Sequence, residues 1–93
     1  MIRTFADKRT KALFEDVPVK GLGPEVRRAA RKKLLMVNRA GSLADLRVPP
    51  GNRLEALKRD RAGHHSIRVN DQWRICFVWR EADAYDVEIT DYH

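Results

Sequence analysis

Ser66-Ile67-Arg68-Val69-Asn70-Asp71-Gln72-Trp73-Arg74-Ile75-Cys76-Phe77-Val78-Trp79 decides the fold. It reads as two strands joined by a tight turn. His65 to Val69 is the first, Asn70-Asp71 supplies the turn chemistry, and Trp73 to Trp79 is the second. Side chains of a strand alternate between faces. Trp73, Ile75, Phe77 and Trp79 therefore share one face, and Arg74, Cys76 and Val78 take the other. Further on, Glu81-Ala82-Asp83 turns into a final strand in which Tyr85, Val87 and Ile89 are expected on one face. On the N-terminal side, Pro49-Pro50-Gly51-Asn52 forms a rigid turn. Arg53 to Lys58 follows as a strand, and Arg59-Asp60-Arg61-Ala62-Gly63 connects it to His65. The result is an antiparallel meander.

The first half of the chain has helical spacing instead. Ile2 to Phe5 is short and extended, and is expected as a first strand. Asp7 is placed to cap a short helix whose apolar surface is Ala12, Leu13 and Phe14. Val17-Pro18 and Gly21-Leu22-Gly23 break it. Pro24 suits the first position of a second helix, and Glu25 suits that end of the helix dipole. Val26, Ala30, Leu34 and Val37 recur on one side of it, with Arg27, Arg28, Arg31 and Lys32 mostly on the others. Asn38-Arg39-Ala40-Gly41 ends the helix. Ser42 then caps a further turn with Leu43 and Leu46 inward. A strand and two helices followed by an antiparallel meander predict an α+β fold, the helices gathered on one sheet face. The opposite face is left to form a polar, basic surface.

The 93 residues are enough for one core and not for two, so residues 1–93 read as a single domain. There is no repeat, linker or low-complexity stretch. No apolar run approaches the roughly 20 residues a bilayer span requires. Met1-Ile2-Arg3-Thr4-Phe5-Ala6-Asp7 lacks the features of a signal peptide, and a cytoplasmic protein is expected. The single cysteine, Cys76, excludes an internal disulfide and fits a reducing compartment. It reads as a small buried hydrophobe.

The net charge is +6 and unevenly spread. Residues 1–46 carry eleven Lys/Arg against five Asp/Glu, and residues 47–80 carry eight against three. Residues 81–93 carry five Asp/Glu and no Lys or Arg. A basic body with an acidic last strand suits a nucleic-acid binder. A membrane surface fits less well, because no helix joins a large apolar face to a basic one and an interfacial Trp.

Arg53, Lys58, Arg59, Arg61, Arg68 and Arg74 lie in the strand region, several on or around the face the helices leave open. A half-buried arginine on a sheet needs an anion, which is either a protein carboxylate or a phosphate. Glu55, Asp60 and Asp71 are the local carboxylates. The chain closes on Asp91-Tyr92-His93, directly after the alternating run Tyr85 to Thr90. A carboxylate, a phenol and an imidazole are thereby expected at the sheet's rim, uncovered by a further tail. Metal-free RNA cleavage requires a base for the 2′-hydroxyl, charge stabilisation at the phosphate and an acid for the leaving oxygen. His93 is the clearest proton carrier. Arg74 and Lys58 suit the phosphate, Tyr92 a base or a proton, and Asp91 the orientation of His93. An idle, frayed terminus is the plain alternative.

His64-His65 cannot readily chelate one metal, since strand neighbours point to opposite faces. The spacings of a zinc site are absent, so no metal and no cofactor is expected. His65 is a candidate RNA contact, with a satisfied surface or core role as its alternative. Trp73 and Trp79 read mainly as core. GxSxG and Gly-rich phosphate loops are absent, and the cysteine has no catalytic partner.

Several stretches together resemble the HigB-type toxins of the RelE-like superfamily. They are Pro49-Pro50-Gly51-Asn52-Arg53-Leu54-Glu55-Ala56-Leu57-Lys58, Ser66 to Phe77, Tyr85-Asp86-Val87-Glu88 and Asp91-Tyr92-His93. Met1 to Phe5 and Leu13-Phe14-Glu15 agree, so the resemblance covers essentially the whole chain. It implies a small α+β toxin that cleaves messenger RNA in the ribosomal A site without a metal, using the substrate's own 2′-hydroxyl. It implies a HigA-like helix-turn-helix antitoxin, and contact with operator DNA only through the toxin–antitoxin complex. Asp91, Tyr92 and His93 match positions implicated in activity. Arg74 matches a phosphate-contacting arginine, and Lys58 a basic residue near the scissile phosphate. RNA contact then extends to Arg53, Arg59, Arg61, Arg68 and His65. One departure stands out: some members carry a histidine before that lysine, where this chain has Glu55. Either Glu55 takes part of a base's role, or it pairs with a nearby arginine and leaves the proton to His93 and Asp91. The rival reading is a non-catalytic module that binds RNA or the ribosome, or a co-repressor acting with the antitoxin.

Overall fold

The computed structural model describes residues 1–58 and 63–91. Helix α1 spans Lys8–Phe14 and α2 spans Pro24–Arg39. Two short 3₁₀ turns follow, Leu43–Arg47 and Pro50–Asn52. Four strands complete the order: β1 Glu55–Ala56, β2 His64–Arg68, β3 Trp73–Arg80 and β4 Asp83–Asp91. They form one sheet in the order β1-β2-β3-β4, every neighbour antiparallel. No helix among the described residues is long and apolar enough to cross a membrane.

The α+β expectation holds, and the core shows why. Ile75 and Phe77 of β3, Ile67 of β2, and Ala84, Val87 and Ile89 of β4 cluster with Leu13 of α1 and with Ala30, Leu34 and Val37 of α2. Trp73 and Trp79 pack against this cluster, so the odd-numbered face of β3 lies under the helices as predicted. Asp7 caps α1, its carboxylate accepting from the Thr10 amide at 2.7 Å. Pro24 stands in the first turn of α2. Ser42 and Asp45 form a reciprocal capping box on the next turn. Asn70 organises the β2–β3 turn, its Oδ1 accepting from the amides of Gln72 and Trp73, each at 2.8 Å.

Three expectations change. Ile2 to Phe5 is not a continuous strand but two parallel bridges to β4, Ile2 with Ala84 and Phe5 with Val87. β4 bulges between them, where the Asp86 amide donates to Thr4 Oγ1 at 2.8 Å instead of to a backbone carbonyl. The same bulge separates Tyr85 from Val87 and Ile89. Val78 pairs with Tyr85 and Cys76 with Glu88, so three steps on β4 match two on β3. Asp86 takes φ 52°, and Tyr85 moves to the side of Val78, away from the core. Finally, the strand expected from Arg53 to Lys58 contracts to Glu55–Ala56. Arg53 has φ 46° and ψ 55° as the cap of the Pro50–Asn52 turn, a left-handed conformation that cannot enter a ladder.

Beyond Val87 the N-terminal segment leaves β4, and α1 takes over its edge. The Ile89 amide donates to the buried Thr10 Oγ1 at 3.0 Å, and Arg9 Nη2 donates to the Ile89 carbonyl at 3.1 Å. The Arg9 guanidinium also lies over Trp73, 5.5 Å from the ring centroid. The last turn of β4, which leads into Asp91, is thereby anchored from outside the sheet.

Candidate active site on the open sheet face

Side chains paired across antiparallel strands share a face. Opposite the helices, the register places Glu55 beside Ser66, Ser66 beside Cys76, Arg68 beside Arg74, and Arg74 beside Thr90. Asp91 pairs with Trp73, so β4 ends within one position of Arg74.

Arg74 is the fixed point of this face. It is 7% exposed, low for a guanidinium. Nε donates to Ser66 Oγ at 2.8 Å, and Nη2 donates to the carbonyls of Arg53 at 2.9 Å and Ser66 at 3.3 Å. Glu55 Oε1 lies 3.6 Å from Nη2, and its side chain is 56% exposed. The left-handed turn at Arg53 thus aims a carbonyl at the guanidinium, and the two-residue β1 brings a carboxylate beside it. A guanidinium held this way keeps its planar donor array in one orientation, which suits an oxyanion better than a mobile lysine does.

The other predicted residues divide. Arg68 is half-buried and forms an ion pair with Asp71 in the turn below it. Arg53 is exposed, and its backbone rather than its side chain is tied into the network. Lys58 is exposed two residues past β1. Asp91 is exposed and accepts from Gln72 Nε2 at 3.1 Å. Arg59, Arg61, Tyr92 and His93 lie outside the described residues.

His64 and His65 do point to opposite faces. His65 pairs with Phe77 and stacks on it, ring centroids 6.2 Å apart, which puts it on the helix side and away from Arg74. Burial, and then neighbouring His64, hold its pKa below the ordinary imidazole value. Among the described residues, no three or more His, Cys, Asp or Glu side chains converge as a metal site.

Two residues were missed by reading the sequence. Ser66, fully buried, supplies both its hydroxyl and its carbonyl to Arg74. Its signal was parity: it shares the strand face of Arg68. Asn52, also fully buried, donates from Nδ2 to the carbonyls of Leu46 at 3.1 Å and Val48 at 3.4 Å. Its Oδ1 accepts from Lys33 Nζ at 2.5 Å. Burial, then Lys32 and Arg68, lower the pKa of Lys33. Asn52 locks the turn that delivers Arg53 to Arg74.

Two helices on one face of a four-stranded antiparallel sheet make a RelE-like toxin fold. The fold of the YoeB-YefM complex from Staphylococcus aureus is similar, with a TM-score of 0.64 over 100% of this chain and 95% of that one, at 19% identity. The family described as the RelE-like toxin of type II toxin-antitoxin system HigB matches residues 3–93. The chain belongs to that family. It is 40% identical over 85 residues to Toxin HigB-1 of Vibrio cholerae serotype O1, covering 90% of each chain. It is 33% identical to Endoribonuclease HigB of Proteus vulgaris over the full length of both.

Proposed function

We propose that the chain is an endoribonuclease toxin that cuts messenger RNA in the ribosomal A site and is neutralised by a HigA-like helix-turn-helix antitoxin. The observation that carries this reading is the immobilised Arg74 guanidinium on the sheet face that the helices leave uncovered. The full-length similarity to an endoribonuclease supports it.

In the proposed reaction the 2′-oxygen of one nucleotide attacks the adjacent phosphorus. The bond from phosphorus to the 5′-oxygen of the next nucleotide breaks, leaving a cyclic 2′,3′-phosphate and a 5′-hydroxyl. A base takes the 2′-hydroxyl proton and an acid supplies one to the departing oxygen. His93 is assigned to proton transfer, with Asp91 orienting it and Tyr92 assisting. Arg74 and Lys58 stabilise the charge that accumulates on the phosphate. Glu55 is assigned to holding Arg74, which matches the ion pair between them. Nothing in this scheme calls on a metal. Arg53, Arg59, Arg61 and Arg68 extend the contact along the RNA, and operator DNA is reached only through the antitoxin.

The test is primer extension on a translated messenger, with and without ribosomes. New 5′ ends that require ribosomes, and that vanish in an Arg74→Ala/His93→Ala double variant of unchanged secondary structure, are expected. Growth inhibition without new RNA ends would instead mark a non-catalytic binding module.

A further inference from the structure

The far end of the open sheet face carries a second group of side chains that the cleavage scheme does not use. Val78 is paired with His64 on one side and Tyr85 on the other, so the three form a row across β2, β3 and β4. Tyr85 stands in that row because of the β4 bulge. Bulges commonly re-aim a side chain beside a functional surface.

Arg80, two positions beyond Val78 on the same side of β3, lays its guanidinium over the Tyr85 ring, 4.5 Å from the centroid. It is exposed and has no carboxylate within ion-pair distance among the described residues. Its cross-strand neighbour Asp83 is engaged elsewhere, by Arg3 Nε at 3.1 Å and the N-terminal ammonium at 3.2 Å. Arg80, Tyr85 and Glu81 line a surface cleft of about 340 Å³.

A guanidinium on a phenol ring offers a flat surface to a nucleobase, and its outer N–H groups suit a phosphate. Such stacking tolerates any base, because every base has a π-face. Arg74 and Arg80 are six residues apart on β3, roughly 20 Å at strand rise. Glu88 sits between them, opposite Cys76. An RNA strand spanning that distance would be gripped at the two ends of the face.

We propose that Arg80 and Tyr85 form a nucleobase-stacking subsite for single-stranded RNA, several nucleotides from the phosphate held at Arg74. The proposal rests on the reading of the chain as an RNA-cutting toxin. It assigns this face a second grip that keeps the messenger in line with the cleavage residues.

The test is an NMR titration with two uncleavable 2′-O-methyl oligonucleotides, a decamer and a trinucleotide. The Tyr85 ring and Arg80 Nε–H resonances are expected to shift with the decamer and stay in place with the trinucleotide. Tyr85→Leu and Arg80→Gln should each weaken decamer binding about tenfold and leave trinucleotide binding unchanged. Arg80 is exposed, so its variant reads the subsite without disturbing the core. Equal decamer affinity in Arg80→Gln, or no binding of the decamer by the unaltered protein, overturns the subsite. A fall in melting temperature with unchanged affinity marks the pair as structural and overturns it too. The two readings fail separately: absent cleavage of translated messenger sinks the toxin reading, whereas intact cleavage with unchanged affinities sinks the subsite alone.

Discussion

Arg74 Nε and Ser66 Oγ lie 2.8 Å apart on adjacent strands, both side chains almost fully buried on the sheet face opposite the helices. Their separation in sequence is short, but the contact exists only because the β2–β3 turn sets the register Ser66–Cys76 and Arg68–Arg74. The serine hydroxyl reaches the guanidinium diagonally, and its own carbonyl accepts a second bond. The arginine is therefore oriented before any substrate arrives, which lowers the ordering cost of binding an oxyanion.

Ser66→Ala removes that acceptor from a buried donor. The expected loss of stability is about 1–3 kcal/mol. Cleavage should slow by about tenfold while RNA binding changes little, because the charge remains and only its aim is lost. Denaturant unfolding and single-turnover cleavage check the two halves. An unchanged rate in the folded variant would show that Arg74 needs no positioning by Ser66.

Glu55 is more than half exposed and 3.6 Å from Arg74, so its ion pair is worth less than about 1 kcal/mol. Glu55→Gln should leave the melting temperature nearly unaltered. With Glu55 as a holding residue, the cleavage rate falls less than tenfold and the shape of the pH–rate profile is kept. His93→Ala should abolish cleavage under the same conditions. Loss of the acidic limb of the profile in Glu55→Gln would transfer the role of base to Glu55.

The meander and the two helices were legible because they rest on local periodicity. The alternation from Trp73 to Trp79 and the spacing of Ala30, Leu34 and Val37 need no knowledge of partners. Tyr85 was assigned to the wrong face because one inserted residue at Asp86 inverts everything before it, and no residue type announces the insertion. The shortening of the strand after Asn52 was equally hidden, since Arg53 occupies a left-handed conformation usually left to Gly or Asn. Residue types and family resemblance nominated Arg74, Glu55 and Asp91, but only the register brings Glu55, Ser66 and Thr90 around Arg74. The serine and the asparagine that hold the site carry no chemistry that would single them out in a chain.

Asn52 gives a prediction that separates packing from charge. Asn52→Ala strips donors from two backbone carbonyls and an acceptor from Lys33, in a fully buried position. The expected cost is about 2 kcal/mol, or roughly 10 °C in melting temperature for a domain of this size. Lys33→Met removes one of those bonds but also a cation whose burial is unfavourable, as its lowered pKa indicates. Its cost should stay below about 1 kcal/mol. Thermal melts of the two variants check the order, and a larger loss in Lys33→Met would reverse it.

The pH dependence of stability should show two separate acid windows. The pKa of His65 is depressed in the folded protein, so the neutral ring is the form that packs on Phe77. Below the ordinary value of 6.5, the unfolded chain binds a proton that the folded chain resists. The contribution of His65 is thus complete above that pH and is lost as pH falls toward its folded pKa. The Asp83 carboxyl is also depressed, chiefly by its hydrogen bond from Arg3 and then by the N-terminal ammonium, with burial opposing. Its contribution is present above the ordinary carboxyl value of 3.8 and is lost only as pH falls through the lower folded value. His65→Leu should therefore flatten the melting temperature between neutral pH and about pH 5, the range in which an imidazole titrates. The steeper loss in strong acid should survive that substitution and weaken in Asp83→Asn. Parallel melting curves of His65→Leu and the unaltered protein across the upper window would show that another group governs it.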